Sequence, residues 1–104
     1  MNNIKTELFV SSIKAMQAEV HANAKAKGWH VRNSPCSIVL CRDLLLVITE
    51  ISEATEALRI GYRIPGTLPG FTAVEEEIAD AVIRILELSE FHGLRLAEAI
   101  VAKH

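Results

Sequence analysis

Apolar residues recur at intervals of three and four along most of the chain, and no stretch sustains the alternation of a half-buried strand. Neither Asn-Gly nor Asp-Gly occurs to turn a hairpin. The pattern predicts an all-α protein of four helices. The first covers residues 4–27, with Ile4, Leu8, Ser11, Ala15, Ala18 and Ala22 along one stripe and Gly28 as its stop. A loop, GWHVRNSP, follows, in which Ser34 before Pro35 has the character of an N-cap. The second helix, residues 35–60, holds Ile38, Val39, Leu40, Leu44, Leu45, Leu46, Val47, Ile48, Ile51 and Leu58. Being apolar nearly all round, it calls for burial among several neighbours, more than one small monomer offers, so self-association through this helix is expected. The Gly- and Pro-rich loop GYRIPGTLPGF separates it from a third helix over 73–92. Thr72 and Glu75 start that helix as a T-x-x-E capping box, and Gly93 ends it. A short fourth helix runs from residue 96 with Leu96, Ala99 and Ile100 on its apolar side.

Composition narrows the classes. A chain of 104 residues, half of them hydrophobic, suits a single domain over residues 1–104. Its net charge of -2 and scattered basic residues give no electrostatic footprint for a polynucleotide or an anionic membrane. The longest apolar run, residues 44–48, is far short of the roughly 20 that span a bilayer. With no basic stretch leading into an apolar one at the start, a cytoplasmic location is expected. Cys36 and Cys41 fit neither a zinc site nor a disulfide framework, and are expected to be reduced and structural, with the burial usual for a free thiol.

Candidate chemistry lies in ITEISEATEAL, residues 48–58, which places Glu50, Glu53 and Glu56 in the most apolar part of the chain. At about 100° per residue, Glu50 and Glu53 project about 60° apart and can converge on one ion, whereas Glu56 has turned about 120° from Glu50. Glu77 and Asp80 repeat the i, i+3 relation on the third helix, in EEEIADAVIRIL. A short connection favours antiparallel packing, which would let the two pairs face each other. Withdrawing a carboxylate from water costs several kcal/mol unless it is paired or bound to a cation. An all-carboxylate set suits Mg²⁺ or Mn²⁺ rather than zinc, and Mg²⁺ is commonly shared with substrate phosphates. The plainer alternative is a solvated charged face carrying surface ion pairs. A di-iron centre would need Glu-x-x-His, which is absent, as are the Gly-rich phosphate loops and the G-x-S-x-G elbow. Arg84, four residues after Asp80, and Arg42, eight before Glu50, are the basic residues placed to meet phosphates.

The two segments ITEISEATEAL and FTAVEEEIADAVIRILELSEFHGLRLAEAIVAK together resemble the MazG-like, all-α nucleoside triphosphate pyrophosphohydrolases. That resemblance implies a four-helix bundle assembled as a homodimer or homotetramer. It implies Mg²⁺ on Glu50, Glu53, Glu77 and Asp80, and hydrolysis of a (deoxy)nucleoside triphosphate to monophosphate and pyrophosphate as nucleotide-pool housekeeping. In NAKAKGWHVRN it marks Trp29 and His30 as nucleotide-pocket residues, and Lys103 matches the terminal lysine of the family. Glu50 and Glu53 are the expected catalytic pair, Glu53 both binding the ion and orienting water. Two departures stand out. Many members carry a further glutamate where this chain has Thr49, and the Tyr-Asn segment that follows the lysine in the family is not present. The competing expectations are a non-catalytic helical interaction module with the same acidic face, and a module that binds nucleotide without turning it over.

Overall fold

A computed structural model describes residues 2–104. It contains α1 (Asn3–Ala26), α2 (Ser37–Ile60), α3 (Ala73–Phe91) and α4 (Leu96–Lys103). Among the described residues there is no strand, only an isolated antiparallel bridge between Pro65 and Thr72. The protein is therefore all-α with four helices. Among those residues no helix is long and apolar enough to cross a membrane.

Local chemistry accounts for most helix ends. The Asn2 side chain accepts from the Lys5 amide at 2.8 Å and caps α1. At the other end Gly28 has φ +95°, the Gly28 amide donates to the Lys25 carbonyl and the Trp29 amide to the Ala24 carbonyl, which is a Schellman motif. Gly93, at φ +66°, repeats the arrangement after α3, with Leu94 donating to Ser89 at 2.8 Å. The capping box before α3 is formed in both directions: the Glu75 amide donates to Thr72 Oγ1, and the Thr72 amide and hydroxyl donate to Glu75 Oε1. The expected cap at Ser34 is not formed. Instead α2 starts later, with the Cys36 carbonyl accepting the Leu40 amide at 2.9 Å.

The chain divides into two compact units. The first comprises Met1–Leu40 with Leu86–His104. Here α1 packs on α4, and Lys14 pairs with Glu98 at 3.3 Å. The second is Cys41–Ile85 and contains most of α2, the connecting loop and the first two-thirds of α3. The Glu76 carboxylate holds that loop by accepting from the amides of Thr67 and Leu68, at 3.0 and 2.7 Å, and from the Thr67 hydroxyl. Gly66 lies directly against this carboxylate, where any Cβ would collide with it.

Few apolar side chains are buried: Ala54, Ala81, Leu86, Leu88 and Ala97. As many polar ones join them, namely Gln17, Asp43, Glu50, Glu87 and Ser89. The large aliphatics of α2 lie outside instead, Leu44, Leu45, Ile48, Ile51 and Leu58 all being exposed. Phe71 is exposed in the connecting loop. One expectation is corrected here. Cys36 and Cys41 are free thiols as expected, but both are exposed, one just before α2 and the other on its uncovered side.

Candidate metal centre

Asp43, Glu50 and Ala54 are the buried residues of α2. Their spacing of seven and four keeps them within about 40° of one another round the helix. Leu44, Ile48, Ile51 and Leu58 lie roughly 80–160° away from Glu50 on the exposed side. The helix thus buries acids and exposes aliphatics. On α3, Glu77 and Arg84 are seven apart and share one stripe with the buried Ala81.

These two stripes bring Glu50, Glu53 and Glu77 together. One carboxylate oxygen from each lies within 4.8 Å of the other two. Glu50 is buried, Glu77 half-buried and Glu53 exposed, so the cluster reaches solvent on the Glu53 side. The fold sets a cation, Arg84, into this arrangement, and its Nε donates to Glu50 Oε1 at 2.6 Å. Burial, reinforced by the neighbouring Glu53, Glu50 and Asp80, pushes the Glu77 carboxyl up to about 7. Its Oε2 is buried and has no hydrogen-bond partner. Asp80 is not one of the three clustered carboxylates and is exposed; partial burial and the charge of Glu50 still raise its pKa, against the opposing pull of Arg84.

A divalent ion fits this donor set. Oxygens held about 2.0–2.6 Å from an ion stand no more than roughly 4–5 Å apart, the spacing found here, and carboxylates without His or Cys suit Mg²⁺ or Mn²⁺. The orphaned Glu77 oxygen is an acceptor with no donor, as a ligand oxygen would be. An acidic cluster that could hold a metal is thus present.

The remaining candidates have different surroundings. Glu56 is turned off the cluster and pairs with Arg59 at 2.6 Å. The Thr49 hydroxyl bonds back to the Leu45 carbonyl on an exposed part of α2. Arg42 lies in the same unit as the cluster, half exposed and paired with the buried Asp43 at 3.0 Å. Trp29, His30 and Lys103 belong to the first unit. There Trp29 is half-buried against His30, and Lys103 is exposed in the last turn of α4. The His30 side chain is only 2 % exposed. It takes a left-handed backbone at φ 60°, stacks on Phe91 at 3.7 Å and meets Glu87 Oε2 through Nε2 at 3.1 Å.

Sequence reasoning missed two buried acids. Glu87 carries His21 on one oxygen, at 2.9 Å, and His30 on the other. Its position between Leu86 and Leu88 was the available sign, since a lone acid in an apolar pair needs partners when buried. Asp43 sits seven residues before Glu50, and that spacing alone puts both on one face. Comparison with known proteins assigns no family, for no family model, curated protein or solved structure matches the chain.

Proposed function

We propose that the protein hydrolyses a (deoxy)nucleoside triphosphate to nucleoside monophosphate and pyrophosphate in the presence of Mg²⁺, with Mn²⁺ as a substitute. The observation that carries this reading is the convergence of Glu50, Glu53 and Glu77 with an orphaned oxygen among them. The resemblance of the ExxE and ExxD segments to MazG-like pyrophosphohydrolases agrees with it. Glu50, Glu53 and Glu77 would hold the ion, with Asp80 adding a fourth negative charge beside them. A bound divalent ion supplies positive charge to the triphosphate and to the oxygen that leaves. Glu53, the solvent-facing member, orients the attacking water and accepts its proton. The water oxygen bonds to the α-phosphorus, the bond to the α–β bridging oxygen breaks, and pyrophosphate departs. Arg84 and Arg42, in the same unit as the cluster, meet phosphate oxygens.

The reading extends to assembly as a homodimer or homotetramer. Leu44, Ile48, Ile51 and Leu58 make one apolar stripe on α2, and Ile78 and Val82 expose another pair on α3. Such side chains, each about half exposed, amount to several hundred Å², the order of the roughly 800 Å² that one partner contributes to a standard interface. Light scattering should give a multiple of the chain mass, and Ile48→Lys should shift it to the monomer; a monomeric parent would refute the assembly. The same stripe favours the second functional reading, a helical interaction module without catalysis. Incubation with a panel of NTPs and dNTPs plus Mg²⁺ separates the two. Pyrophosphate and monophosphate should appear with at least one nucleotide, whereas no turnover of any, or full activity in Glu53→Gln, excludes the enzyme.

A further inference from the structure

We infer that Arg84 is an internal counter-cation, holding Glu50 until a divalent ion displaces it, and that the released guanidinium then binds the triphosphate. This rests on the metal reading above and adds an exchange step to it. Three acids and one guanidinium share the site, and the short contact goes from Arg84 Nε to the same carboxylate that the cluster needs. A divalent ion on Glu50 would place two like-signed charges around one carboxylate, so each weakens the binding of the other. Arg84 is suited to such an exchange. Its side chain is 28 % exposed while that of Glu50 is 9 % exposed, so the guanidinium lies on the solvent side of the pair. Asp80, one turn earlier on α3, attracts it and keeps it beside the cluster. A guanidinium presents five N–H donors in a planar fork that matches phosphate oxygens. The exchange also orders binding: the ion enters, Glu50 changes partner, and a phosphate-binding group appears next to the ion.

Mn²⁺ titration by calorimetry tests this without turnover. Arg84→Met keeps the aliphatic stem and removes the charge; it should bind Mn²⁺ alone about tenfold more tightly than the parent, a size usual for coupled sites. The same variant should bind an α,β-imido nucleotide in the presence of Mn²⁺ about tenfold more weakly. Arg84→Lys should stay near the parent for Mn²⁺ alone. In the parent protein, the Arg84 Nε–H nuclear resonance should shift and exchange faster with water when Mg²⁺ is added, a readout that needs no variant. If the parent binds Mn²⁺ but Arg84→Met binds it no more tightly and the resonance does not move, the exchange is wrong. If the parent binds no Mn²⁺, the metal reading itself fails and the exchange with it.

Discussion

Each unit of the molecule holds a buried glutamate, and the two have contrasting surroundings. In the first unit, Glu87 has one histidine on each carboxylate oxygen. In the second, Glu50 shares its surroundings with Glu53 and Glu77, and acid lies against acid with Arg84 at one edge. The contrast teaches that burial alone does not mark a site. A buried acid whose acceptors meet donors is a finished structural cluster, and one whose acceptors meet other acceptors is short of positive charge.

The largest effect that should separate the two is on turnover. Glu53→Gln should lower kcat by about 10²–10³-fold, in steady-state pyrophosphate release, because it removes the water-orienting carboxylate. Glu87→Gln should leave kcat within a few-fold of the parent. Equal losses in both would dissolve the distinction.

Stability should respond with opposite signs. Glu87→Ala leaves the buried His30 without its carboxylate and should cost about 1–3 kcal/mol, read as a lower midpoint in urea unfolding. Glu77→Gln, measured without metal at pH 7.5, should raise the midpoint, because it removes a repelling charge and can donate to its neighbours. A fall in both would mean that the second cluster is as well compensated as the first.

The pH dependence sharpens this further. With its pKa raised to about 7, Glu77 keeps its proton in the folded protein where the unfolded chain, near 4.5, has lost it. Stability of the metal-free protein should therefore fall as pH rises from about 4.5 to about 7 and level off above that. The upward shift of Asp80 acts in the same direction. Glu75, Glu76 and Glu98 are held low by hydrogen bonds from backbone and side chains, so their contributions are lost only as pH falls below the ordinary carboxylate value. Thermal melts in EDTA should show the decline, and Glu77→Gln or saturating Mg²⁺ should reduce it. Smallest of all, Gly66→Ala should lower the melting temperature by a few degrees, since the new methyl displaces the Glu76 carboxylate from its loop amides.

What the sequence revealed divides along the range of the interactions. Helix ends set by neighbours a few residues apart, such as the Thr72–Glu75 box and the glycine stops at Gly28 and Gly93, were legible because their bonds are local. The convergence of Glu50 with Glu53 followed from helix pitch, and so did the exclusion of Glu56. The place of Glu77 needed only a second helix with the same spacing. Asp80 could not be separated from Glu77 this way, because one turn of helix does not say which carboxylate meets a neighbouring helix. The histidine partners of Glu87 come from 57 and 66 residues away, beyond any periodicity. The aliphatics of α2 stay exposed in the single chain, as a helix apolar nearly all round implies when one chain has too little surface to cover it.

The most direct test is Mn²⁺ binding by the parent, Glu77→Gln and Glu87→Gln under identical conditions. The parent and Glu87→Gln should bind Mn²⁺ saturably with similar affinity, and Glu77→Gln should bind at least about tenfold more weakly, the usual scale for losing a group that supports a metal site. Absence of saturable binding to the parent, or equal affinity in all three proteins, would contradict the assignment of the Glu50, Glu53 and Glu77 cluster as a metal centre.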